Sequence, residues 1–393
     1  MADDAVFIVA ARRTPIGAFQ GVLSAVPAPQ LGAAAAAAAI ADSGLKPGDI
    51  QEAIFGCVLS AGLGQAPARQ AAMGAGVPTG TPTTTVNKMC GSGLKAIMLA
   101  ADQLRTGDIE IALAGGLESM SNAPYLLMKA RSGYRMGPGE LLDHMFTDGL
   151  QSPWDGQLMG TFAEATAEKY GFTRAEQDSF AGESVRRALR AIESGAFQRE
   201  LTPVKVKSRK GETLVERDET PFTCDLEKIP TLKPAFRKDG TVTAASSSSI
   251  SDGAAATVLA RGSAVKSRGL KPLARIVAYT SHAQEPAWFT TAPVGAIRKL
   301  LEKTGWRANE VDLFEVNEAF ACVTMAAMKD IGIDHARINV NGGACALGHP
   351  IGATGARITT TLIHALKARG VKRGIASLCI GGGEATALAV EVV

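Results

Sequence analysis

This chain of 393 residues is short of aromatic side chains, of histidine and of any excess charge. Aromatics make up only 5% of it, whereas glycine alone supplies 43 residues and alanine is abundant. Chains of that composition pack helices tightly on sheets and turn their backbone often, as α/β proteins do. The formal net charge of +3 excludes a nucleic-acid scaffold, which would carry a strong basic excess. It leaves room for a local basic patch that meets an anionic ligand. No long apolar run is present. Ala33 to Ala39 is apolar but too short to span a bilayer, and it reads as a buried helix. The start MADDAVFIVAARRTP has no apolar stretch behind a basic one, and the ending Val-Glu-Val-Val is no address signal. The expectation is therefore a cytoplasmic protein with neither a membrane nor a nucleic-acid partner. The six cysteines, Cys57, Cys90, Cys224, Cys322, Cys345 and Cys379, lie far apart without a CxxC pair. Free thiols in a reducing compartment follow.

At ~150 residues per domain the length suggests two or three units, or one large doubled fold. Two segments read alike. Gly91-Ser-Gly opens a helix with Leu94, Ile97, Met98, Ala101 and Leu104 at helical spacing. A Gly107-Asp turn, the strand Ile109 to Ala114 and a Gly115-Gly116 break follow. Gly352-Ala-Thr-Gly355 likewise opens a helix around Ile358, Leu362, Ala365 and Leu366. Gly370, the strand Ile375 to Ile380 and the break Gly381 to Gly383 then repeat the order. A further strand from Gly253 resembles the one from Gly383, but only after a stretch of roughly 130 residues, Ser119 to Ser251. The spacing predicts a duplicated α/β unit with an insertion in its first half. In that insertion Thr173-Arg-Ala-Glu176 fits a capping box for a helix from Thr173 to Ser194. A charged stretch runs from Lys205 to Glu219. The serine run Ser246 to Ser249 is either a solvated loop or one that contacts a ligand.

Four residues can carry chemistry. Cys90, in Val86-Asn-Lys-Met-Cys-Gly-Ser-Gly-Leu, stands where a strand-like segment meets a helix. The helix dipole and the free N–H groups there favour a thiolate and predict a lowered pKa. The plain alternative is a buried structural cysteine. His349 lies in Asn341-Gly-Gly-Ala-Cys-Ala-Leu-Gly-His-Pro-Ile-Gly-Ala-Thr-Gly, where so much glycine implies a backbone folded closely around something. Its imidazole suits a thiol's proton acceptor, whereas His144, His282, His335 and His364 read as structural. Cys379 ends a strand, where open α/β sheets gather their sites, and a thiolate there serves as a base. Its alternative is one more packed cysteine. Asn317, in Val311-Asp-Leu-Phe-Glu-Val-Asn-Glu-Ala-Phe, is either a holder of water or oxyanion or a plain helix cap.

Jointly, Asn87-Lys-Met-Cys-Gly-Ser-Gly, Asn317-Glu-Ala-Phe-Ala, Gly348-His-Pro-Ile-Gly and Cys379-Ile-Gly-Gly-Gly resemble one family, the thiolases. The likeness runs from Val6 to the last strand. It takes in Ala11-Arg-Arg-Thr-Pro-Ile-Gly and Gly115-Gly-Leu-Glu-Ser-Met-Ser, and it is closest to the acetyl-CoA acetyltransferase branch. It implies an α/β fold of two five-stranded sheets in a duplicated αβαβα sandwich. The halves would be 1–119, completed by 252–270, and 271–393, with 120–251 a loop domain holding coenzyme A.

The resemblance also implies roles. Cys90, activated by His349, would take an acetyl group from acetyl-CoA. Cys379 would remove an α-proton from a second acetyl-CoA to give acetoacetyl-CoA, the reverse being thiolysis. His349 with a water on Asn317 would form one oxyanion hole, and the N–H groups of Cys90 and Gly381 the other. Coenzyme A, substrate and product rather than resident cofactor, would meet Ser248, Ala319 and Phe320. Leu150, Met159, Phe236 and Ala244 would complete that surface. Lys205 to Lys210 would reach the phosphates or be a solvated charge run. The segment Ala123 to Gly139 resembles the loop that joins dimers into a homotetramer. Two departures stand out: Leu158-Met159-Gly160 replaces His-Met-Gly, and Ser246 replaces an asparagine. A broader-chain degradative thiolase, a decarboxylating ketoacyl synthase and a non-catalytic acyl-CoA or lipid binder are the alternatives. Cys379 before Gly381 argues against the synthase, and four intact motifs against the binder. No metal is expected, because Cys90, His349 and Cys379 fit no closed zinc motif.

Overall fold

The computed structural model describes residues 4–208 and 211–393. Arg209 and Lys210, the end of the basic run, lie outside the described residues. The main strands are β1 (Val6–Arg13), β2 (Glu52–Gly56), β3 (Thr83–Val86), β4 (Ile111–Ser119) and β5 (Ser251–Arg261). Then come β6 (Ala274–Ala283), β7 (Leu313–Val316), β8 (Arg373–Ile380) and β9 (Glu384–Val392). They lie in the order β7-β8-β9-β6-β1-β5-β4-β2-β3, and the short strand Gly17–Ala18 pairs beside β5. Both halves repeat one plan outward from the β1/β6 pair. Each has an antiparallel step, a second antiparallel step, then a parallel one. In the first half β3 extends the parallel edge; in the second this strand has shrunk to the isolated bridge Phe314–Ile338.

The two expected sheets are thus joined edge to edge. Only Val6–Ile276, Phe7–Arg275 and Ile8–Ala274 pair across the join. Helices Ala28–Ser43 and Pro67–Gly74 bury their apolar face on the first half. Ala292–Thr304 and Ala321–Ile331 cover the second. Ser92–Thr106 and Thr354–Arg369 share one core with strands from both halves. The result is five layers, α-β-α-β-α. The alanine run is helical as expected, but its helix is buried on one face only, with Ala37 exposed.

The middle helices meet at their N-termini, and glycine is what permits it. A Cβ at Gly93 would lie 2.8 Å from the Ala356 nitrogen, and one at Gly355 would strike the Leu94 nitrogen. The Gly115-Gly116 break expected from sequence is absent, because β4 runs through to Ser119. Those glycines serve close packing instead. Gly116 presses on the backbone of Gly352 and Ala353, and Gly115 on that of Ala255 and Ala256. Gly381 to Gly383 do form a turn, with φ of 98° at Gly382 and 90° at Gly383.

The insertion between β4 and β5 lays its helices on helices of the second half. Met159–Tyr170 packs on Ala321–Ile331, and Arg174–Glu193 on Ala344–Leu347. The capping box of the latter helix forms, Thr173 accepting the Glu176 N–H and Glu176 the Thr173 N–H. Arg13 anchors the insertion from within, fully buried between Glu200 and Asp218. The charged stretch includes a hairpin, Val204–Ser208 with Gly211–Val215, whose Val204, Val206 and Val215 join the outer core. Its Lys205 faces solvent, 3.6 Å from Glu212.

Candidate active site

Cys90 occupies the turn from β3 into the helix Ser92–Thr106. Asn87 Oδ1 accepts the Met89 N–H at 2.9 Å. Ser92 Oγ accepts the Lys88 N–H at 2.8 Å and donates to the Met89 carbonyl at 2.6 Å. The knot forces Met89 to a φ of 46°, a left-handed value unfavourable for a side chain with a Cβ. That strain turns the next residue, Cys90, toward a cavity of about 210 Å³.

His349 and Gly381 line the same cavity. Leu150, Met159, Phe236, Ser248, Ala319 and Phe320 also contribute walls, which are mostly apolar. Ala244 does not; it is exposed on the surface. Leu158 and Gly160, from the segment that departs from the family pattern, are lining residues too. The serine run is no solvated loop. Ser248 donates its N–H to Ala319 at 2.9 Å, and Ser249 accepts that of His349 at 3.1 Å.

The backbone amides of Gly381 and Cys90 favour the Cys90 thiolate. Desolvation nonetheless wins and pushes the thiol up to about 11, against the lowered value expected from the helix terminus. A dipole effect confined to the first turn does not offset removal from water. Burial, aided by the charge of Arg357, drives His349 down to about 3. Its Nδ1 lies 2.6 Å from Thr354 Oγ1, and its Nε2 has no partner among the described residues. The resting pair is therefore a neutral thiol and a neutral imidazole.

Cys379 and Asn317 are buried and do not line the cavity. Cys379 is fully buried in one cluster with Ala319, Phe320 and Cys322. Its thiol pKa stands well above the ordinary value, first through burial and then through the nearby Cys90. Asn317 is no helix cap, since the next helix begins at Ala321 behind Phe320. Its side-chain oxygen and nitrogen are both buried without a protein partner, an arrangement a water or a substrate oxygen relieves. The remaining histidines have structural contacts, such as His144 with Asp148 at 2.6 Å and His364 with the Ala11 carbonyl at 3.0 Å. Among the described residues no group of three or more His, Cys, Asp and Glu side chains is arranged to hold a metal ion.

Sequence reasoning missed two buried carboxyls that shape the site. Glu118 accepts the N–H groups of Val58, Leu59 and Gly352 at 3.0, 3.1 and 2.9 Å. Glu318 accepts from Ser184 at 2.6 Å, Asn339 at 2.8 Å and the Cys345 N–H at 3.1 Å. Both stand inside the quoted motifs, but nothing local separates a buried glutamate from an exposed one.

Residues 6–263 match the family model for the thiolase N-terminal domain, and residues 270–392 that for the C-terminal domain. The chain belongs to the thiolase family. This thiolase is 51% identical to an acetyl-CoA acetyltransferase of Pseudomonas aeruginosa, over 98% of each chain. It is 48% identical to acetyl-CoA acetyltransferase 2 of Arabidopsis thaliana, covering 99% of this chain and 97% of that one. Its fold matches the crystal structure of the Bacillus anthracis acetyl-CoA acetyltransferase with a TM-score of 0.97 at 43% identity, over 99% of both chains. The Acat5 thiolase of Ascaris suum in complex with coenzyme A gives 0.94 at 43% identity, over 99% of this chain and 100% of that one.

Proposed function

We propose that this thiolase is an acetyl-CoA C-acetyltransferase that condenses two acetyl-CoA into acetoacetyl-CoA and coenzyme A, and catalyses the reverse thiolysis. What supports this reading most is one apolar cavity that joins the Cys90 thiol, a bare imidazole nitrogen and the Gly381 turn, with the Cys379 thiol close by.

In the first half-reaction the Cys90 sulfur attacks the thioester carbonyl while His349 takes its proton. The N–H groups of Cys90 and Gly381 hold the oxyanion, the kind of donor worth roughly 10²–10³ in rate. The carbon–sulfur bond to coenzyme A breaks, and Cys379 protonates the leaving sulfur. In the second half-reaction the Cys379 thiolate takes the α-proton of another acetyl-CoA. Protonated His349 and a water on Asn317 hold the enolate oxygen. The enolate carbon attacks acetyl-Cys90, and the released thiolate recovers its proton from His349. All three groups end as they began. A thioester carrier keeps the acetyl group reactive, which an oxygen ester would partly lose.

On the same reading, residues 120–251 are the loop domain that holds coenzyme A between 1–119, completed by 252–270, and 271–393. Ser248, Leu150, Met159, Phe236, Ala319 and Phe320 meet the pantetheine and acyl region. The surface position of Ala244 leaves only the outer part of the ligand for it. The assembly is a cytoplasmic homotetramer joined through Ala123 to Gly139, whose exposed Tyr125, Met128 and Met136 seek apolar cover. Charged replacements there would halve the mass seen by light scattering. No helix among the described residues is long and apolar enough to cross a membrane. The deciding test is incubation with acetyl-CoA alone, followed by intact mass and peptide mapping. One acetyl group on Cys90 is expected. Acetylation elsewhere, or none in a preparation that turns over, overturns the proposal.

A further inference from the structure

We propose that Thr354 is the positioning residue that fixes His349 as its Nδ1–H tautomer and thereby leaves the basic Nε2 facing Cys90's cavity. Thr354 Oγ1 lies 2.9 Å from the Pro350 carbonyl oxygen and 2.6 Å from His349 Nδ1. The carbonyl only accepts, so the one hydroxyl proton goes to it. The hydroxyl lone pair is then left for the imidazole, and Nδ1 must carry a proton to donate. Moving that proton to Nε2 would turn the hydroxyl toward Nδ1 and set two oxygen lone pairs against each other at 2.9 Å. It would also bury an N–H with no acceptor, since Nε2 has no partner among the described residues.

Thr354 is fully buried at the start of the helix Thr354–Arg369, and its backbone N–H also meets the Pro350 carbonyl at 3.0 Å. The hydroxyl is therefore held by the same turn that presents His349. The acceptor is a neutral oxygen, not a carboxylate. It orients the ring without stabilising an imidazolium at rest, which matches a pair that exchanges a proton only as the thioester is attacked.

The inference rests on His349 acting as the base, but its first readout does not. The chain has five histidines, so selective ¹⁵N-histidine labelling gives a small spectrum, and His349→Asn assigns the missing signals. The wild type and Thr354→Ser are expected to show a protonated Nδ1 and a bare Nε2 near neutral pH. Thr354→Val is expected to shift the population toward Nε2–H. Its rate of Cys90 acetylation should fall roughly 10- to 100-fold, less than the 10²–10⁴ of complete general-base assistance, with Thr354→Ser within about threefold of wild type. A wild-type proton on Nε2 overturns the proposal, as does a Thr354→Val enzyme with unchanged tautomer and rate. If Thr354→Val does not fold, the wild-type and Thr354→Ser spectra decide alone. Acetylation away from Cys90 would sink the functional reading while leaving the tautomer result standing.

Discussion

Glu118, near the end of β4, accepts the backbone N–H of Gly352 at 2.9 Å, three residues beyond His349. The same carboxyl takes the N–H groups of Val58 and Leu59, which share a cluster with Cys90 and Met89. One buried side chain thus ties the loop of the imidazole to the surroundings of the thiol.

That link yields a pH-dependent prediction. Burial raises the Glu118 carboxyl from 4.5 to about 7, despite the three N–H donors. The folded state therefore binds this proton more tightly than the unfolded one. The resulting stabilisation is complete below pH 4.5 and is lost as pH rises through about 7. It amounts to something on the order of 3 kcal/mol. Glu118→Gln should melt below wild type at pH 5, and the gap should narrow by pH 8. A gap that stayed constant, followed by thermal unfolding at both pH values, would refute the burial argument.

Cys379→Ser separates the two half-reactions. It should still transfer acetyl to Cys90, slowed about tenfold at most because a thiolate leaves readily without acid help. Condensation should fall by at least ~10²-fold, the low end of what a positioned base supplies. Rapid-quench mass measurement follows the first step and acetoacetyl-CoA absorbance the second. Condensation at the wild-type rate would mean that Cys379 is not the base.

The neutral resting pair sets the pH profile of Cys90 alkylation. With the thiol at about 11 and His349 at about 3, the thiolate fraction grows steadily through the neutral range. Iodoacetamide inactivation should rise about tenfold per pH unit from 7 to 10. A plateau between pH 4 and 8 would instead reveal a thiolate–imidazolium pair.

Chain length tests the branch within the family. Phe236, Phe289 and Phe320 crowd the cavity that holds Cys90. Thiolysis of 3-ketoacyl-CoA substrates should therefore be most efficient for acetoacetyl-CoA, with kcat/KM falling as the chain grows. A flat profile would favour the broad-range degradative alternative.

Much of this was legible in the chain. The helix after Cys90, the capping box at Thr173 and the Gly381 turn follow from local periodicity and backbone chemistry, and all three formed. The duplication was legible as well, because a repeat of glycine, helix and strand survives in sequence order. Where local reading failed, the deciding partner lay far away. Gly115 and Gly116 read as a break, yet they are flat strand residues beneath Gly352 and Ala255. Asn317 read as a plausible cap, yet its helix starts four residues later.

The sequence by itself determined which residues could react and where the backbone needed glycine, since thiol, imidazole and left-handed φ are properties of single residues and their neighbours. Tertiary structure alone decided their charge state and orientation. Desolvation, not the helix dipole, sets the Cys90 thiol, because burial is a sum over distant segments. The His349 tautomer follows from where Pro350 and Thr354 stand around one hydroxyl proton. A motif supplies those atoms, but only the closed fold brings them within a hydrogen bond of each other.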